Sequence, residues 1–122
     1  MFYEFTQNNS GGSFVADARV GYAVIIEASN LKEANSRAED VGIYFNGCED
    51  GLDCPCCGDR WHPAYGKGDK VPSHYGKPVE KTDDSFWGLW LVIHYKNGDR
   101  RYVTKGGKVH KTLTAAKKAI RK

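Results

Sequence analysis

The stretch from residue 46 to residue 85 constrains this chain more than any other. It shows no sustained hydrophobic period and holds all four prolines (Pro55, Pro63, Pro72, Pro78) and all four cysteines. An irregular excursion of that length is uncommon inside a compact domain, so something has to order it. The obvious staple is CEDGLDCPCCGDRWH, Cys48 to His62, near its start.

Cys54-Pro55-Cys56-Cys57-Gly58 contains a Cys-x-x-Cys followed by glycine. That is the form of a metal knuckle: two thiolates three residues apart grip one ion, and glycine lets the chain turn beneath the sulfurs. Structural Zn2+ takes four ligands. Cys54 and Cys57 form the best pair, and Cys48 folds back across Glu49-Asp50-Gly51 as a third. The fourth falls to His62, Cys56 or His74, and the expected set is Cys48, Cys54, Cys57 and His62. Adjacent Cys56 and Cys57 are expected to point apart, leaving one outside the coordination sphere. Free cysteines in a folded loop, or a redox pair, are the competing readings. The redox reading is weakened because Gly58-Asp59 and Pro63 make a poor helix start after the motif. A second Cys-x-x-Cys, which would complete a zinc ribbon, is absent.

The flanks read as ordinary strand and helix. Phe2–Thr6 alternates as a strand, and Gln7 to Ser13 is a polar, glycine-rich turn into the next one. Val20–Ala28 is a second strand, with Val20, Tyr22, Val24 and Ile26 on one face. Ser29-Asn30 caps a helix, Glu33 is the reciprocal partner, and Gly42 ends it. Ile43-Tyr44-Phe45 reads as a short strand. Phe86–Tyr95 is apolar on both faces and therefore central. Asn97-Gly98 predicts a two-residue hairpin that sets His94 opposite Arg101, and Gly106-Gly107 a second turn. Thr112 caps a last helix with Leu113, Ala116 and Ile120 inward. The expected fold is one α+β domain over residues 1–122: an antiparallel sheet of about five strands, two helices on one face, and the cysteine-bearing loop as an insertion.

Charge is unevenly placed. From Lys96 to Lys122 there are ten Lys/Arg and one acid, a net of +9; residues 1–95 carry eight against fourteen, a net of −6. A basic C-terminal part of this kind suits an anionic partner, a nucleotide or nucleic acid, with Trp90, Tyr95 and Tyr102 as rings on which bases would stack. Asn8, Asn9 and Ser10 of the polar turn, and His94, Arg100 and Arg101 near the hairpin, are the candidate small-ligand contacts. No apolar run approaches the ~20 residues that span a bilayer, and no leader-like segment opens the chain, so no membrane partner and a cytoplasmic location are expected. There is no phosphate loop, no dinucleotide glycine fingerprint, no Gly-x-Ser-x-Gly elbow, and no His-x-Glu ahead of the cysteines as a zinc deaminase needs. The expectation is therefore not an enzyme.

FYEFTQNNSGGSF, the segment ending GIYFNG, and DCPCCGDRW together resemble a family of small uncharacterised proteins of tailed bacteriophages. The blocks span residues 2 to 61, and the basic tail is similar. The family has no assigned activity, so no catalytic residue carries over. The resemblance implies a small accessory protein in the cytoplasm of an infected host. Such a protein would bind and block a host factor or defence component, or act as a sponge for a nucleotide signal. The alternative is a zinc-stabilised nucleic-acid binder.

Overall fold

The computed structural model describes residues 1–8 and 14–120. Asn9 and Ser10 of the polar turn lie outside them. A five-stranded sheet runs in the order β1-β2-β5-β6-β7, with β1 Phe2–Thr6, β2 Ala23–Glu27, β5 Leu91–His94, β6 Arg100–Thr104 and β7 Lys108–His110. Helices α1 (Leu31–Asp40) and α2 (Leu113–Ile120) complete the α+β fold, and β3 (Ser73–His74) and β4 (Lys77–Pro78) form a small separate hairpin.

Both helices lie on one face. Ala34 and Ala38 of α1 pack with Tyr3, Phe5, Val24 and Ile26, and Ala116 of α2 packs with Val92 and Tyr102. The other face carries Ala23, Ile25, Leu91, Ile93 and Val103, which are closed over by Val79 and Phe86. Both of those covering residues come from the long excursion and its end. Part of the irregular segment is thus a layer of the core, ordered by apolar burial as well as by whatever the cysteines hold.

The sheet is mixed where an antiparallel one was expected: β2 pairs β5 in parallel, Val24 beside Val92 and Ile25 beside Ile93. Parallel neighbours need a long crossover. Here α1 and the whole irregular segment provide it, and strand periodicity carries no information on direction.

Local chemistry explains most of the element ends. At the start of α1, Asn30 Oδ1 accepts the Glu33 N–H at 2.9 Å, while the Glu33 carboxylate takes the N–H of Ser29 at 3.2 Å. At its end Gly42, at φ +102°, donates to Glu39, and Ile43 donates back to Ala38 at 3.0 Å. This is a Schellman closure. It uses the Ile43 backbone, so the strand expected over Ile43-Tyr44-Phe45 does not form, although the Ile43 side chain is buried.

Three further expectations shift. Strand β2 begins only at Ala23, and Tyr22 packs on the face of Ala23 and Ile25 rather than with Val24. Gly21 is the reason: its backbone lies against Trp90, and a Cβ there would sit 2.2 Å from the Trp90 carbonyl oxygen. Gly21→Ala is expected to cost about 1–3 kcal/mol through overpacking against backbone that cannot move aside, read as a lower unfolding midpoint. The central strand is shorter than Phe86–Tyr95. Phe86 and Trp87 adopt φ +53° and +54° in a tight turn that buries Phe86 and leaves Trp87 72% exposed. Finally, the β5–β6 turn has three residues instead of two. Tyr95 N–H bonds Asp99 O at 2.8 Å, and Gly98 takes φ +96°. The register slips by one, pairing His94 with Arg100 and Ile93 with Arg101. The slip aligns Val92 with Tyr102 beneath α2, so packing decides the turn length.

Candidate functional site

The cysteine loop is clamped from below by a buried polar network. Tyr44 Oη donates to Asp53 Oδ1 at 2.7 Å, and the Arg60 N–H donates to Asp53 Oδ2 at 2.8 Å. The Arg60 guanidinium lies 3.8 Å from Asp53 Oδ1 through Nε and donates through Nη1 to Gln7 Oε1 at 3.1 Å. Asp53 and Arg60 are both buried, and they bracket Cys54, Cys56 and Cys57 in sequence. Asn8 ties the loop to β1 by donating through Nδ2 to Cys57 O at 2.6 Å and through its backbone to Arg60 O at 2.8 Å. Trp61, 2% exposed, anchors the exit of the loop in the core beneath α1.

On this base the chain turns tightly. Cys57 and Gly58 both donate to Cys54 O, and Gly58 takes φ +87°. The turn brings Cys54, Cys56 and Cys57 together, their sulfurs all within 4.8 Å of one another and close enough to hold a metal ion. Cys56 and Cys57 therefore do not point apart: their sulfurs are 3.9 Å from each other, and Cys54 Sγ is 2.8 Å from Cys56 Sγ. Two thiolates on one tetrahedral zinc, at about 2.3 Å each, would sit roughly 3.8 Å apart, so the Cys56–Cys57 pair matches and the Cys54–Cys56 pair would spread on binding.

The thiols are electrostatically unequal. Cys54 is pulled down to about 7, because the side chains of Cys56 and Cys57, then their backbone N–H groups, hydrogen-bond its sulfur. Cys56 is pushed up to about 11 by its bond to Cys54 and then by Cys57. A cluster that readily yields one thiolate is suited to begin binding a soft cation.

A model of a domain of unknown function (DUF7296) matches residues 1–114. The chain belongs to this family. The matched span of DUF7296 takes in the whole sheet, α1 and the cysteine loop, and ends just inside α2. No curated protein and no solved structure matches the chain.

Within this DUF7296 chain the sequence-derived ligand set is only partly assembled. Cys54 and Cys57 sit in the cluster, and Cys56 joins them. Cys48 and His62 are not members of it. Cys48 lies alongside, its Sγ donating to Cys54 O at 3.4 Å, its N–H held by Asp59 Oδ1 at 2.9 Å, and its thiol pushed up by burial and then by Asp59. His62 is exposed and lines a separate cleft of about 410 Å³ with Glu4, Thr6, Tyr65 and Tyr75. His74 is committed elsewhere. It is buried, with Nδ1 2.5 Å from Glu4 Oε2 and Nε2 2.9 Å from Asp84 Oδ2, and Tyr75, Phe86 and Tyr22 surround its ring.

The expected anion contacts do not converge either. His94 is buried, with Nε2 2.6 Å from Arg19 O, and burial, then the Arg100 and Arg37 charges, hold its pKa below the ordinary value. Arg100 donates to Ala18 O at 3.2 Å and Arg101 to Arg100 O at 2.7 Å. The register slip puts His94 and Arg101 on opposite faces. Asn8 serves the cysteine loop. The three rings expected to stack on bases are also occupied. Trp90 and Tyr102 are buried, Lys117 lies 5.9 Å over Trp90, and Tyr95 packs edge-on to Phe2.

Sequence reasoning missed the Asp53–Arg60 clamp and the Glu4–His74–Asp84 bridge. The first had a signal: an acid and an arginine bracketing the cysteines in DCPCCGDR. The second had none, since Glu4 lies 70 residues before His74. No helix among the described residues is long and apolar enough to cross a membrane.

Proposed function

We propose that this chain acts by binding rather than catalysis, and that its cysteine loop is a structural zinc site presented on the binding surface. The convergence of Cys54, Cys56 and Cys57 carries the reading. An all-sulfur donor set suits Zn2+, and structural sites commonly use four such ligands. In this reading Cys48, whose Sγ lies 3.4 Å from Cys54 O, supplies the fourth. The base already held by Asp53, Arg60 and Asn8 leaves little chain to order when the ion binds.

The partner in this reading is a host or defence protein, as the resemblance to small phage proteins implies. Exposed aromatic side chains support a protein partner: Trp87 is 72% and Tyr75 69% exposed, and rings of this kind dominate protein–protein binding energy. The nucleic-acid alternative keeps its basic C-terminal segment but has no free ring among Trp90, Tyr95 and Tyr102.

Elemental analysis and native mass of protein purified without chelator test the metal. About one zinc per chain is expected, falling below half in Cys54→Ser and in Cys57→Ser. A metal-free protein that also fails to take up added Zn2+ would remove the zinc reading. For the partner, one bacterial protein retained by the native chain and released by Trp87→Ala is the expected result of affinity capture from lysate. Identical capture by both chains would refute the aromatic surface.

A further inference from the structure

The basic C-terminal segment is the sequence feature that the cysteine site leaves unexplained. Four of its eight described cations have partners within the fold. Lys96 pairs with Glu33 at 3.6 Å, Lys117 lies over Trp90, and Arg100 and Arg101 donate to backbone carbonyls. Lys105 and Lys108 form no ion pair among the described residues, and both line one cleft of about 550 Å³.

That cleft lies between the turn that precedes β5, the β6–β7 hairpin and the end of α2. Leu89, Ala119 and Ile120 give it an apolar wall, and Ser85 adds a hydroxyl. Among the described residues, no acid lines it. Thr104 and Lys108 are register partners across the hairpin, so Lys105 and Lys108 stand at the two ends of one tight turn. The turn is wedged in place: a Cβ on Gly107, at φ +79°, would lie 2.6 Å from the Glu80 carbonyl oxygen. Two cations are thereby held on a rigid rim beside an apolar wall, in a volume within the range of about 300–1,000 Å³ usual for small-molecule sites.

We propose that this cleft binds a phosphorylated small molecule of about mononucleotide size. Its phosphate sits between Lys105 and Lys108, and its body lies against Leu89, Ala119 and Ile120. Two lysines lining one cleft match a phosphate dianion as point charges, and the apolar wall favours an organic phosphate over the free ion. The proposal is independent of the cysteine site.

Amide-resolved NMR titration of the full chain tests it, with AMP and hexyl phosphate as organic phosphates, and adenosine and inorganic phosphate as controls. At least one organic phosphate is expected to give saturable shifts over residues 85–89 and 104–108. Both controls should bind at least about tenfold more weakly. The double change Lys105→Gln/Lys108→Gln should weaken the organic phosphate by about tenfold or more while leaving the remaining amide spectrum in place. The site is overturned if neither organic phosphate shifts those amides, or if the double variant binds as tightly as the native chain. Equal binding of inorganic phosphate would overturn the role of the apolar wall.

Discussion

Replacing Asp53 by alanine is expected to remove about 3–5 kcal/mol of stability, the usual cost of deleting one member of a buried ion pair. The side chain of Asp53 is fully buried and that of Arg60 is 9% exposed, so neither solvent nor salt screens the loss. The change removes the acceptor for Tyr44 Oη and for the Arg60 N–H, and it leaves the Arg60 guanidinium in the interior without its carboxylate. At roughly 3–5 °C per kcal/mol for a chain of this size, the midpoint of thermal unfolding should fall by more than about 10 °C. Differential scanning calorimetry reads this directly. Asp53→Asn should recover part of the loss, because an amide oxygen still accepts from Tyr44 or from the backbone. A near-native midpoint for Asp53→Ala would show that the cysteine loop folds without its clamp.

The second large effect is expected at His74 and shows in the pH dependence. Burial pulls the His74 pKa down, but its bond to Glu4 and that carboxylate's charge, followed by Asp84, pull it up by more, so the net shift is upward. Asp84 is held below the usual carboxylate range: burial raises it, and the Phe86 N–H and His74 lower it by more. A histidine raised in the folded state contributes stability that is complete below its unfolded pKa of about 6.5 and is lost as pH rises through the folded value. A depressed aspartate contributes above about 3.9, and its share is lost as pH falls through its folded pKa. Both contributions are therefore present between about pH 4 and pH 6.5, and stability should decline above that window. Unfolding midpoints taken from about pH 6 to about pH 9 should fall for the native chain. His74→Gln should start lower and lose that slope. It keeps polar groups at the site but cannot hold a proton between two carboxylates. An unchanged slope in His74→Gln would place the titrating group elsewhere.

The same bridge joins three segments far apart in the chain: β1 through Glu4, β3 through His74, and the turn before β5 through Asp84. Glu4 also accepts the Tyr75 N–H at 2.8 Å, which helps hold Tyr75 at φ +51°. Left-handed backbone in a bulky residue costs of order 1–3 kcal/mol and persists only where surrounding structure enforces it. Here the enforced residues Tyr75 and Trp87 are the exposed rings assigned to partner binding. Loss of the His74 bridge is thus expected to weaken that surface as well as the fold.

Features set by neighbours in sequence were legible in the sequence. Asn30 and Glu33 cap α1, Gly42 ends it, Thr112 opens α2 by accepting the Ala115 N–H at 3.1 Å, and β1 spans Phe2–Thr6. Each depends on side chain and backbone within about four residues, so spacing alone identifies it. The cysteine turn belongs with them in part: the pairing of Cys54 with Cys57 follows from its own tight backbone, whereas Cys56 was expected outside the cluster and lies in it. Tertiary structure decided the rest. The parallel pairing of β2 with β5, the one-residue slip that parts His94 from Arg101, the Asp53–Arg60 clamp and the His74 bridge all join residues that local chemistry leaves independent. Their partners are chosen by how two apolar sheet faces are covered and by which buried charges can be matched. Those quantities exist only once the chain has closed on itself.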